Sequence, residues 1–186
     1  MNQVPSPFEF LLQSALVEHL SALQLPPKLN VGGTTYLMKE NPHCTIAATR
    51  RGIAPIIVER EQLSDEAANE LAMAEATAAF KITNPHFGGY LPELRIASIP
   101  RDSRQTIVIM ARGANFEAFF TELSNRLKHE LPVQPAHVTI YSIDKRPIGL
   151  SSPQELDERS RRLTEPELDE WNRQVDSAKI FGVRLR

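Results

Sequence analysis

AHVTIY, residues 136–141, sets a histidine and a threonine into a short apolar run. In a strand, alternate side chains point to opposite faces. His137, Thr139 and Tyr141 are therefore expected on one face, and Val138 and Ile140 on the other. The apolar pair is the natural core side, which leaves the polar trio facing outward or into a cleft. An earlier stretch, NPHCTIA (residues 41–47), repeats this grammar: His43 and Thr45 on one face, Cys44 and Ile46 on the other. The pattern is His-x-Thr followed by an apolar residue, and 94 positions separate the two histidines. Each copy follows a proline-containing loop, Asn41-Pro42 in one case and Gln134-Pro135 in the other. A single His-x-Thr is weak, because threonine is a good strand former and half-buried histidines are common. Two copies, each in an apolar strand, engage two of only five histidines.

The rest of the chain reads as one domain. It has 186 residues, enough for a sizeable core. A net charge of −2 gives no basic field to hold extended nucleic acid, though a small phosphorylated ligand or a nucleic-acid end is compatible with it. Cys44 is the sole cysteine, which rules out intrachain disulfides and suggests a cytoplasmic protein. The N-terminus lacks the pattern of a signal peptide, and no run has the roughly 18 apolar residues of a membrane span. A monomer without membrane partners is expected.

Outward from the motifs, residues 7–23 carry Phe8, Leu11, Leu12, Ala15, Leu16, His19, Leu20 and Leu23 at helical spacing. A helix is expected there, with Ser6 as N-cap, Pro7 at its first position and Pro26-Pro27 as its stop. LNV and TTYLM around Gly32-Gly33 read as two strands and a tight turn, and IAPIIVE reads as a further strand. Ser64 begins an alanine-rich helix running to about Phe80. ELRIASI (93–99) and QTIVIMA (105–111) flank PRDSR as a hairpin. Phe116, Phe119, Phe120, Leu123 and Leu127 mark an amphipathic helix capped by Asn115. Residues 151–175 are charged and contain the capping-box pattern of Thr164 and Glu167, which predicts one or two outer helices; IFGVRLR reads as a last strand. Hairpins mixed with helices favour an α+β fold with antiparallel sheets.

Paired histidines and threonines suit phosphodiester cleavage. One neutral imidazole removes a proton from the attacking water or hydroxyl, and the other, protonated, donates to the leaving oxygen. Each threonine lies two residues on along the same face, about 6.5–7 Å away, where its hydroxyl can hold a non-bridging phosphate oxygen. This chemistry needs no metal, and the sequence has no compact metal-ligand spacing of the usual kinds.

On PHCTIA, AHVTIY, their separation and the α+β order around them, the chain resembles the two-histidine phosphoesterases across roughly residues 30–145. That family includes bacterial RNA 2′,3′-cyclic phosphodiesterases, also described as 2′-5′ RNA ligases. The resemblance implies a bilobal domain of two antiparallel sheets with helices outside, the lobes related by a pseudo-twofold axis around a central groove. Residues 151–186 would then be a helical C-terminal extension. It implies acid/base roles for His43 and His137 and phosphate binding by Thr45 and Thr139; the residues themselves leave open which histidine is acid and which base, and the analogy leans toward His43 as acid and His137 as base. The expected substrate is a 2′,3′-cyclic phosphate RNA end or a nucleotide. The alternatives are a nuclease of cyclic oligonucleotide or 2′-5′-linked signals, and a non-catalytic nucleotide- or RNA-binding module. The second motif continues Tyr141-Ser142-Ile143 where many bacterial members carry an arginine.

Other residues are less decisive. Tyr141 either contacts substrate, by stacking on a base or donating to phosphate, or fills the sheet surface. His86, in NPHFGGY, reads as a loop residue because Gly88-Gly89 follow. His19 falls on the apolar stripe of the first helix and His129 at a helix end, both structural positions. Cys44 reads as a small core residue. Arg50, Arg51, Arg101 and Arg104 are loop cations that either meet a ligand phosphate or face solvent.

Overall fold

The computed structural model describes residues 8–11, 14–99, 102–144, 146, 148–183 and 185. Among them, nine strands join in one sheet and every pairing is antiparallel. The strands are β1 (Phe8–Leu11), β2 (Ala15–His19), β3 (Lys28–Val31), β4 (Thr34–Met38), β5 (His43–Ala47), β6 (His86–Ser98), β7 (Gln105–Ala114), β8 (His137–Ser142) and β9 (Ser160–Arg162). The main order is β1-β2-β5-β8-β7-β6-β9, with the β3–β4 hairpin attached through β4 to the end of β8. The α+β, antiparallel expectation holds. The two expected sheets are instead one hydrogen-bonded surface, because β5 and β8, the two motif strands, pair directly with each other.

One face of the sheet carries the main core. The helices α1 (Ala54–Glu61), α2 (Asp65–Thr83) and α3 (Phe116–Leu127) cover it. In α2, Ala68, Ala72, Ala76 and Ala79 are fully buried at spacings of three and four, so small side chains let this helix lie close to its neighbours. Ser64 caps it, accepting a bond from the Ala67 amide. In α3, Phe116, Phe119, Phe120, Leu123 and Leu127 are all buried, as their spacing predicts. The opposite face holds a smaller cluster, Ala97, Val108, Met110, Ile148 and Leu150. There the chain leaving β8 crosses back over the sheet before α4 (Pro153–Arg159), β9, α5 (Glu165–Gln174) and α6 (Ser177–Phe181). Thr164 and Glu167 form the expected capping box at the start of α5.

Several local expectations are overturned. Phe8–Leu11 and Ala15–His19 are the paired antiparallel strands β1 and β2, not a helix. β2 is claimed by β5, and pairing within the sheet overrides the local helical spacing. Ser6, Pro7 and Leu12, used in that helix reading, lie outside the described residues. IAPIIVE is the helix α1, with Pro55 at a first-turn position, where the missing amide costs nothing. His86 starts β6 rather than sitting in a loop, and irregular pairing beside Gly88-Gly89 accommodates the glycines. Asn115 does not cap α3 through its side chain; its amide instead donates to the Thr83 and Asn84 carbonyls at the end of α2. IFGVRLR begins within α6, which ends at Phe181 and is capped by Gly182 with φ 70°. Arg101, Arg184 and Arg186 lie outside the described residues.

Candidate active site

The register of β5 on β8 builds the site. Cys44 and Val138 are directly paired, and the strands are antiparallel. One residue outward in each direction, His43 therefore stands opposite Thr139, and Thr45 opposite His137. A local twofold axis through the Cys44–Val138 pair exchanges the two tripeptides. The histidines lie on a cross-strand diagonal, a separation of about 7–8 Å between Cα atoms, which leaves room for a tetrahedral group between the rings. The side chains of Cys44 and Val138 go the other way, fully buried in the main core.

All four motif side chains line one cavity of about 570 Å³, together with Val17 of β2. Arg50 and Arg51 also reach it. They belong to a single wide helical turn, Thr49–Ile53, that follows β5 directly and is tied to the β1–β2 loop by the Arg50 amide donating to the Ser14 carbonyl. The far wall is the crossing segment, with Ile148, Leu150 and Ser151. Among the described residues no carboxylate lines this cavity, so its charge character is cationic, suited to an anion. Neither Thr45 nor Thr139 spends its hydroxyl on a protein acceptor among the described residues, which keeps both donors for a ligand.

Each histidine is oriented by the loop before its strand. His43 Nδ1 lies 3.2 Å from the Asn41 carbonyl, and His137 Nδ1 lies 2.8 Å from the Pro135 carbonyl. A carbonyl only accepts, so Nδ1 carries the proton and donates, and Nε2 is left for chemistry. His86, after the same Asn-Pro step as His43, makes the equivalent bond to Asn84 at 3.0 Å but lines no part of this cavity. The tautomer is thus set by the local turn, and the pairing of β5 with β8 makes it useful. Burial pushes the His43 imidazole below its ordinary range; the Asn41 carbonyl opposes this, and His19 and Lys39 add to the lowering. Burial pushes His137 down as well, opposed by the Pro135 carbonyl and assisted by His43. The two rings are brought near each other by the β5–β8 pairing, and the effect of His43 on His137 fits that placement.

Tyr141 is not in the site. β8 slips against β7 between Ile107 and Val108, whose partners are Tyr141 and Thr139, so Ile140 is an extra residue. This bulge turns Tyr141 onto the core side. It is fully buried, its hydroxyl donates to the Pro26 carbonyl at 2.8 Å, and its ring meets Trp171 edge-on. Simple alternation along AHVTIY cannot show a bulge. Cys44 behaves as expected: burial, aided by Glu18, pushes its thiol up to about 12, so it stays a neutral core group.

Sequence reasoning also missed residues the fold brings in. His19 lies in β2 directly across from His43, not on a helix stripe. Ile148 and Leu150 come from a stretch with no periodic signal. Among the described residues, no group of three or more histidine, cysteine, aspartate or glutamate side chains is placed to hold a metal ion. No helix is long and apolar enough to cross a membrane, again among the described residues. Comparison of the chain with protein-family models, curated proteins and solved structures returned no match.

Proposed function

We propose that this protein is a phosphodiesterase of the two-histidine type, cleaving a cyclic phosphate or a nucleotide phosphodiester without a metal. The observation that carries this reading is the convergence of His43, Thr45, His137 and Thr139 on one cavity from two directly paired strands. In this reading the phosphorus sits between the two Nε2 atoms. His137, 8% exposed and the more enclosed ring, is the base that takes a proton from the attacking water. His43 protonates the leaving ester oxygen. Thr45 and Thr139 donate to the non-bridging oxygens, whose charge grows in the transition state. Arg50 and Arg51 draw the anion in, and Val17, Ile148 and Leu150 offer an apolar surface to a base or sugar. The pseudo-twofold relation expected of two lobes finds its support in the local axis between the motif strands. A 2′,3′-cyclic nucleotide or RNA end is the favoured substrate, and the cavity volume suits one nucleotide better than a polymer.

The test is turnover, with EDTA present, of 2′,3′-cyclic nucleotides, cyclic dinucleotides and a 2′-5′-linked dinucleotide. Hydrolysis lost in both His43→Ala and His137→Ala, with circular dichroism unchanged, supports the enzyme. Saturable binding without hydrolysis would make the protein a nucleotide-binding module instead.

A further inference from the structure

The local twofold axis relating the two tripeptides also relates their outer neighbours, and there the symmetry fails. Across from His43 on β2 stands His19; across from His137 on β7 stands Met110. One motif histidine thus has an ionisable ring beside it and the other a thioether. The His19 and His43 rings meet edge-on with centroids 6.2 Å apart. His19 Nε2 is in turn 2.7 Å from the Glu9 carboxylate on β1, so the ring is held from the solvent side.

A second cavity, about 410 Å³, lies on this flank and is lined by His43, His19, Glu9, Lys39 and Asn41 among others. His43 therefore touches open space on two sides, whereas of these two cavities His137 lines the main one alone. We propose that His19, anchored by Glu9, is a positioning residue for His43 and makes the two otherwise equivalent motifs unequal, His43 serving as proton donor and His137 as acceptor. This rests on the phosphodiesterase reading for its catalytic half.

The electrostatics run in the same direction. The charged or titratable groups facing His43 are His19, backed by Glu9, from the β1–β2 hairpin, His137 from β8, Lys39 and Glu40 from the loop after β4, and Arg50 and Arg51 from the turn after β5, which share the main cavity with it. Glu18 lies on the other face of the sheet, where it accepts from the Phe87 amide. His19 beside it disfavours positive charge on His43, so His43 gives up its proton more readily. A donor whose proton is less firmly held is the stronger acid. The second cavity offers the spent donor a solvent route to a new proton that does not cross the bound substrate.

The test combines ring-resonance NMR titration with kinetics in His19→Gln and His19→Lys. His19→Gln should raise the His43 titration midpoint by about half a pH unit, the scale of one screened charge at this range. His137 should move less. His19→Lys, which restores a cation, should keep the His43 midpoint at or below that of the wild type. With a 2′,3′-cyclic nucleotide, the alkaline limb of the pH–rate profile should follow the His43 midpoint. An unmoved midpoint, or equal movement in both variants, would reduce His19 to packing. Movement of the acid limb instead would reverse the assigned roles and overturn the proposal. Midpoints that shift as expected in a protein that hydrolyses nothing would uphold the His19–His43 coupling and sink the phosphodiesterase reading alone.

Discussion

The two motif strands carry the same tripeptide grammar in different surroundings. β5 lies between β2 and β8, and its histidine keeps partial exposure and an imidazole neighbour. β8 lies between β5 and β7, and its histidine is closed in against Met110. The tripeptides supply the shared parts: a ring oriented through Nδ1 and a free hydroxyl two residues on. The neighbouring strands supply the difference in burial and charge. A symmetric pair of imidazoles does not by itself divide acid from base; unequal surroundings do.

The largest expected effect comes from removing either ring. His43→Ala and His137→Ala should each lower kcat by about 10²–10⁴-fold, the usual worth of positioned acid/base groups. Comparable losses would mark the halves as one catalytic unit, and a loss confined to one variant would break the pairing. Next come the hydroxyls. Thr45→Val and Thr139→Val should each cost about 10–10³-fold in kcat while the melting temperature stays within a few degrees, because valine suits a strand. A large fall in melting temperature would mean those hydroxyls serve the fold.

The pH dependence sharpens the comparison. Both histidines hold their protons less firmly than a free imidazole. The pH–rate curve should be bell-shaped, with its acid limb below the ordinary imidazole midpoint of about 6.5. The same shifts bear on stability. In the unfolded chain these rings take up protons first as pH falls, so the contribution is intact above about pH 6.5 and is lost as pH falls below it. His137→Gln should flatten that part of the stability curve.

Two smaller effects probe regions outside the pairing. Tyr141→Phe should leave turnover near the wild-type value and cost about 1 kcal/mol of stability, from the lost bond to the Pro26 carbonyl. A collapse of turnover instead would put Tyr141 back in the site. Glu167 accepts two bonds from Arg161 at 2.7 Å each, and with the Thr164 contacts this holds its carboxyl down to about 2, against the opposing effect of burial. A depressed carboxyl stabilises the fold above its unfolded value near 4.5 and loses that contribution as pH falls toward 2. Glu167→Gln should cost about 2 kcal/mol at pH 7 in denaturant melts and much less at pH 3.

The legible parts of the sequence were those where one local rule governs. Each His-x-Thr strand, the alanine face of α2, the phenylalanine stripe of α3 and the Thr164 capping box followed from spacing or capping chemistry alone. The misread parts needed partners distant in sequence. Ala15–His19 looks helical in isolation and is a strand because β5 pairs with it. Alternation carried His137 and Thr139 to the correct face and failed at Tyr141, since the bulge at Ile140 is set by β7. Arg50 and Arg51 read as loop cations because nothing local reveals that the turn after β5 bends over the cavity. The same holds for Ile148 and Leu150, which face the site only because the chain crosses back over the sheet.

The central claim is that both imidazoles act on one phosphorus. A crystal structure with a nucleoside 2′- or 3′-monophosphate tests it most directly. The phosphate is expected between the Nε2 atoms of His43 and His137, with the Thr45 and Thr139 hydroxyls on its non-bridging oxygens. A phosphate bound elsewhere, or touching only one of the two histidines, would contradict the account.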